Sequence, residues 1–116
     1  MGHDLDMLRD RLRTFATERD WERFHSPKNL AMALAVESAE LLEHFQWLTE
    51  EESAALAPQR KSDVAAELCD VLFYLVRLAD RLDVDLAVAS EAKLAANAAK
   101  YPPDRVRGSA RKYDEY

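Results

Sequence analysis

The stretch VAAELCDVLFYLV, residues 64–76, indicates a helical fold, because its apolar residues recur with the period of an α-helix. The resulting leucine seam consists of Val64, Leu68, Val71, Leu75, Leu78 and Leu82, spaced alternately four and three residues apart. Such spacing is typical of a helix that packs against other helices. It predicts a central packing helix that begins near Pro58 and carries two acidic residues, Glu67 and Asp70, beside the seam.

Helix formers dominate the rest of the chain and glycine is rare, which predicts an all-α chain. We expect long helices over about residues 4–19, 27–47 and 58–82, and from a cap at Asp83 or Asp85 to about residue 100, with a short helix or turn at 49–52. The four long helices predict a four-helix bundle and a single domain over residues 1–116. Residues 103–116 are polar and are expected to form a poorly ordered tail or to close over a site.

Composition and charge restrict the partners. The chain has 116 residues, of which 48% are hydrophobic and 33% charged, as in soluble globular proteins. A net charge of −6 argues against nucleic acid or an anionic membrane as the main partner. The one cysteine, Cys69, excludes an intrachain disulfide and favours a reducing, cytoplasmic setting, and we expect it in the core. The first residues lack the apolar run of a signal peptide or membrane span.

A second acidic pair interrupts another apolar helix face, in VESAELLEHFQW, residues 36–47. Glu37 and Glu40 have the same three-residue spacing as Glu67 and Asp70. At about 100° per residue, Glu37 falls inside the apolar arc of its helix and Glu40 lies at the edge, on the same side as Trp47. If the two helices face each other, four carboxylates converge at the border of the core.

Converging carboxylates require a countercharge, because desolvation and mutual repulsion penalise their ionised forms. Magnesium suits this purpose, since it takes oxygen ligands and bridges carboxylates to the phosphates of a substrate. A di-iron site is the alternative, but it requires Glu-x-x-His motifs, which neither pair supplies. A single acidic pair is usually a solvated surface, whereas two pairs on apolar helix sides favour a site. The scarcity of glycine also excludes glycine-rich phosphate loops.

With these motifs in place, the chain resembles the all-alpha MazG-like nucleotide pyrophosphohydrolases, and among them the dCTP pyrophosphatase branch. The stretches ERDWERFHSPKNLAMALAVESAELLEHFQW and KLAANAAKYPPDRVRGSARKY are also similar to that branch. The resemblance implies that Glu37, Glu40, Glu67 and Asp70 bind Mg²⁺. It further implies hydrolysis of a deoxynucleoside triphosphate, here dCTP and 5-modified dCTP, to the monophosphate and pyrophosphate, a pool-cleansing role.

The residues available agree with that chemistry. No serine, cysteine or histidine is arranged as an evident nucleophile, so water is expected to attack the α-phosphorus. One carboxylate then acts as the base, and Glu37 and Glu40 are both candidates.

Substrate contacts are expected from aromatic and cationic residues. Aromatic faces stack on a pyrimidine, and the resemblance implies that Lys93 and Asn97 reach the nucleotide, although an exposed lysine stripe remains an equal alternative. The expected substrate-binding residues are Trp21, His25, Asn29, Trp47, Tyr74, Lys93, Asn97 and Tyr101. Arg77 and Arg81 are interpreted as partners of surface acids. Leu12 stands where relatives in this branch can carry a histidine near the base.

The apolar helix surface is large for so short a chain, which predicts a homotetramer, a dimer of dimers in which a neighbour completes each site. Two alternatives to the dCTP hypothesis stay open. One is a MazG-type pyrophosphatase that prefers another nucleoside triphosphate. The other is a non-catalytic helical interaction module that keeps a metal site.

Overall fold

The computed structural model describes residues 2–109, and this part of the chain is entirely helical, as predicted. Its elements are α1 (Gly2–Glu18), a 3-10 turn (Glu22–Phe24), α2 (Pro27–Glu43), α3 (Glu50–Ala54), α4 (Pro58–Arg81), α5 (Leu86–Lys100) and α6 (Pro103–Val106). Four of these helices are long, and α3 and α6 are short additions. The tail expected at residues 103–116 begins as α6, and residues 110–116 lie outside the described residues.

Side-chain caps mark where α2, α3 and α5 begin. Ser26 accepts a hydrogen bond from the Asn29 amide at 3.2 Å, directly before Pro27 opens α2. Thr49 and Glu52 form the reciprocal capping box that their spacing predicts. Asp85 accepts from the Val88 amide at 3.2 Å and starts α5. These local bonds set the helix boundaries before any tertiary packing is considered.

The second helix ends earlier than predicted. Instead of continuing to about residue 47, α2 stops at Glu43, and the amides of Phe45 and Gln46 both donate to the Leu42 carbonyl at 2.9 Å. The Phe45 bond spans three residues instead of the four of an α-helix, so the backbone tightens into a turn here. The expectation that Trp47 shares a helix side with Glu40 was therefore wrong, and Trp47 is 87% exposed in the turn after α2.

The core lies between α2 and α4, which pack along their lengths, while α1 packs on both α4 and α5. Leu30 of α2 is 1% exposed, and Val64, Val76 and Ala79 of α4 are buried with it. Within residues 2–109, every helix is too short or too polar to pass through a bilayer.

Much of the leucine seam faces outward, contrary to the prediction of one continuous core seam. Leu68, Leu75 and Leu82 are 52%, 41% and 54% exposed. The apolar surface of α4 is wider than one neighbouring helix can cover, so Val64 and Val71 turn inward while Leu68 and Leu75 do not. Cys69 also lies on the exposed side rather than in the core.

Candidate functional site

Three carboxylates meet where α2 crosses α4. Glu37 reaches from the middle of α2, and Glu67 and Asp70 reach from the facing turns of α4. One carboxylate oxygen of each residue lies within 4.8 Å of the others. The three residues, here called the carboxylate cluster, come together because each stands on the side of its helix that packs against the other helix.

The carboxylate cluster is electrostatically unsatisfied. Glu37 Oε2 and Glu67 Oε1 are buried and have no hydrogen-bond partner. Close approach of the Glu67 carboxyl, and then burial, raises the pKa of Glu37 above the ordinary glutamate value. Buried carboxylate oxygens without a donor are costly, and a divalent cation with oxygen ligands would satisfy them. The donor set therefore fits a divalent cation that prefers oxygen ligands.

Glu40 stands beside this group, one turn after Glu37 along α2, and its side chain is exposed. A hydrogen bond with Glu37 and the negative charge of that neighbour raise the pKa of Glu40. It lies outside the group of three oxygens that share the 4.8 Å spacing. Three of the four predicted acidic ligands thus cluster tightly, and the fourth adjoins them.

A cavity of about 290 Å³ opens next to the carboxylate cluster. Its lining consists of Leu12, Phe15, Ala16, Trp21, His25, Asp70, Phe73, Tyr74 and Arg77. Three predicted substrate-binding residues, Trp21, His25 and Tyr74, share this lining. Asp70 belongs both to the cavity and to the carboxylate cluster, so the two features form one continuous site.

Aromatic rings shape one wall of the cavity. The ring of Trp21 meets Phe15 edge to face at 5.7 Å between centroids, and it meets His25 in the same manner at 6.3 Å. Edge-to-face contacts hold aromatic side chains in defined orientations. The residues after α1 therefore form an ordered apolar and aromatic surface that suits a flat heterocycle.

Other predicted substrate-binding residues lie outside the lining of this cavity. Asn29 donates from Nδ2 to the Phe24 carbonyl at 3.1 Å and ties the 3-10 turn to the start of α2. Lys93 and Asn97 stand in the second half of α5, and Tyr101 follows that helix. None of these three residues, nor Trp47, is part of the cavity lining.

The sequence interpretation missed Arg77 as a residue of the site. It expected this arginine to pair with acids at the surface, whereas the structure buries its side chain. The residue is 4% exposed and lines the cavity. Its Nε donates to Nδ1 of His25 at 3.4 Å, and its Nη1 donates to Asp80 Oδ2 at 3.2 Å. The signal was present, since Asp70, Tyr74 and Arg77 follow one flank of α4 at i, i+4 and i+7.

Asp80 links this arginine to α1. Arg13 donates from Nε to Asp80 Oδ2 at 3.1 Å and also binds Oδ1. The hydrogen bond from Arg13 holds the pKa of Asp80 below the ordinary aspartate value. The wall of the cavity that contains Arg77 is thus anchored by ionic contacts between α1 and α4.

The sequence matches the model of the MazG-like family over residues 32–116. It is 48% identical over 103 residues to dCTP pyrophosphatase 1 of Homo sapiens and of Bos taurus. This similarity covers 87% of the chain but 61% of the length of those relatives.

A solved structure is also similar. It is the crystal structure of a pyrophosphatase from Archaeoglobus fulgidus DSM 4304, with a TM-score of 0.81 at 40% identity, covering 86% of this chain and 94% of that one. Sequence and fold agree, and the chain belongs to the MazG-like family.

Proposed function

We propose that the chain is a Mg²⁺-dependent nucleoside triphosphate pyrophosphohydrolase that converts dCTP, and dCTP modified at C5, to dCMP and pyrophosphate. The observation that carries this proposal is the double position of Asp70, in the carboxylate cluster and in the aromatic cavity. The similarity to dCTP pyrophosphatase 1 supports the choice of base. The proposed role is cleansing of the cytoplasmic nucleotide pool.

The two parts of the site bind different parts of the substrate. The base enters the cavity lined by Trp21, His25 and Tyr74, and the triphosphate extends past Asp70 toward Glu37 and Glu67. These three acids, with Glu40, would hold the cation. When bound, Mg²⁺ offsets the negative charge that builds up on the phosphate oxygens.

Hydrolysis needs a base and a water molecule but no covalent nucleophile. The water oxygen forms a bond to the α-phosphorus, and the bond from that phosphorus to the α,β-bridging oxygen breaks, so pyrophosphate leaves. A carboxylate accepts the proton of the water. Glu40 and Glu37 are the candidates, and the position of Glu40 beside the cluster favours Glu40.

The exposed apolar surface supports a proposal about assembly. The chain exposes 8964 Å², whereas a compact monomer of this mass exposes about 6,500 Å². The exposed apolar residues include Leu68, Leu72, Leu75, Val88 and Leu94. We propose that a homotetramer, a dimer of dimers, covers this surface and brings the remaining substrate-binding residues to the nucleotide: Asn29, Trp47, Lys93, Asn97 and Tyr101. Sedimentation as a stable monomer at micromolar concentration would contradict the assembly.

A triphosphate panel tests the activity. Turnover of dCTP, 5-methyl-dCTP, dTTP, dUTP, dATP and dGTP is measured with Mg²⁺ and with EDTA, and the products are identified. We expect dCMP and pyrophosphate as the main products, and no turnover in EDTA. A preference for another triphosphate would overturn the choice of base. If no triphosphate is hydrolysed, the alternative of a non-catalytic helical interaction module is favoured. In that case nucleotide should not change the melting temperature.

A further inference from the structure

The buried arginine of the cavity, Arg77, has a function that the carboxylate cluster does not explain. We propose that Arg77 is a positioning residue, which holds His25 as the neutral tautomer protonated on Nε2, so that His25 donates a hydrogen bond to the acceptor edge of the base. This inference rests on the proposed function, because it takes a pyrimidine nucleotide as the occupant of the cavity.

The direction of the Arg77–His25 hydrogen bond fixes the tautomer. A guanidinium has donors only, so the 3.4 Å contact between Arg77 Nε and His25 Nδ1 requires a lone pair on Nδ1. A proton on Nδ1 would face the Nε–H and abolish the bond. The neutral ring must therefore carry its proton on Nε2, on the edge directed away from Arg77.

Arg77 is held too firmly to turn away from His25. The side chain is 4% exposed, and Nη1 donates to Asp80 Oδ2 at 3.2 Å. Asp80 is itself fixed by two hydrogen bonds from Arg13 of α1. The contacts from Arg13 through Asp80 to Arg77 orient His25 through its Nδ1 atom. Hydrogen bonds to the second ring nitrogen orient functional histidines in the same way in metal sites.

The surroundings of His25 also keep its imidazole neutral. Burial, followed by the positive charges of Arg77 and Arg81, lowers the pKa of His25, and Glu22 opposes this effect. At neutral pH the ring is then a donor at one nitrogen and an acceptor at the other. The acceptor is occupied by Arg77, which leaves the Nε2–H for a ligand in the cavity.

A fixed donor of this kind selects among pyrimidines. Cytosine presents N3 and O2 as adjacent acceptors, whereas uracil and thymine carry a hydrogen on N3. An N–H donor directed at N3 therefore satisfies cytosine and opposes the N3–H of the other two bases, and a site built to pair a polar group discriminates strongly. Arg77 would raise base selectivity through its hydrogen bond to His25.

Histidine NMR tests the tautomer without any substrate. The sequence has three histidines, and a His25→Phe variant assigns the His25 signals in protein labelled with ¹⁵N-histidine. We expect bare Nδ1 and protonated Nε2 in the wild type, and averaging of the two tautomers in Arg77→Met. A protonated Nδ1 in the wild type, or an unchanged tautomer in Arg77→Met, would overturn the proposal. Arg77→Met/Asp80→Asn, which also removes the carboxylate that pairs with Arg77, is read in the same way if Arg77→Met does not fold.

A double-mutant cycle tests the consequence for the substrate. In Arg77→Met we expect the KM for dCTP to rise about tenfold with kcat changed less than about twofold, and the preference for dCTP over dTTP to fall about tenfold. The Arg77→Met/His25→Phe variant should be no worse than His25→Phe, since Arg77 acts through His25. Arg11→Met, an exposed arginine of α1, is the control. Additive effects would overturn the proposal, whereas a wild type that hydrolyses no triphosphate contradicts the proposed function and leaves the NMR result decisive for the tautomer.

Discussion

Glu37 of α2 and Glu67 of α4 face each other with carboxylate oxygens within 4.8 Å, and each has one buried oxygen that lacks a hydrogen-bond partner. Two like charges at this separation repel, and the repulsion grows when water is excluded. A folded chain that keeps such a pair at its central helix contact loses stability there, which is typical of residues kept for binding. A divalent cation removes the conflict because it supplies the missing charge.

Metal binding should therefore raise the melting temperature. We expect Mg²⁺ to raise the melting temperature of the wild type, since a ligand that binds the folded state stabilises it. Glu67→Gln should raise the melting temperature of the metal-free protein by about 4 °C, as expected for about 1 kcal/mol of relieved repulsion, and should lose most of the response to Mg²⁺. Circular dichroism at fixed protein concentration, with EDTA or Mg²⁺, measures both effects. Glu91→Gln, an exposed change on α5, is the control, and an equal Mg²⁺ response in Glu67→Gln would refute the interpretation.

The pH dependence of metal-free stability should show the raised pKa of Glu37. Because the folded state binds this proton more tightly than the unfolded state, the contribution is complete below the ordinary glutamate pKa of about 4.3 and is lost as pH rises through the raised value. Urea unfolding in EDTA at several pH values between about 4 and 7 measures this loss. Glu37→Gln should show a smaller decrease over the same interval. An identical decrease in variant and wild type would mean that Glu37 is not the titrating group.

Asp80 should have the opposite pH dependence. The hydrogen bond from Arg13 lowers its pKa, so its stabilising contribution is present above the ordinary aspartate pKa and is lost as pH falls through the lowered value. At neutral pH, Asp80→Asn should lower the free energy of unfolding by about 3 kcal/mol, since it leaves the buried Arg77 without its ionic partner. The difference from the wild type should shrink in acid. Urea unfolding checks this against Asp63→Asn, an exposed position of α4, and a difference that does not change with pH would argue against the ionic explanation.

The helical fold could be predicted from the sequence because local signals determine it. Ser26, Thr49 and Asp85 cap helices as their positions indicate, and the prolines begin or end helices. The end of α2 could not be predicted in this way, since the apolar residues after Glu43 continue a helical pattern that the backbone leaves. Local sequence patterns therefore predict that a helix is present better than they predict where it ends.

The convergence of Glu37, Glu67 and Asp70 could also be predicted, because apolar helix sides pack against each other and bring the acidic residues on them together. The burial of Arg77 could not, since an arginine at the edge of a helix face is usually solvated. Its position depends on Asp80 and His25, which lie on different segments and become neighbours only in the folded chain. The outward face of Leu68 and Leu75 was missed for a related reason, as spacing alone does not reveal which apolar side a partner covers.

The proposed role of Glu37, Glu67 and Asp70 is to hold the divalent cation that hydrolysis requires, and pyrophosphate release from dCTP by Glu67→Gln is the measurement that depends on this claim. The substitution preserves size and removes one ligand charge, so we expect kcat/KM to fall about 100-fold or more with Mg²⁺ present, while the helical circular dichroism and the activity of Glu91→Gln stay unchanged. Turnover of Glu67→Gln within a few-fold of the wild type, at the same Mg²⁺ concentration, would contradict the claim.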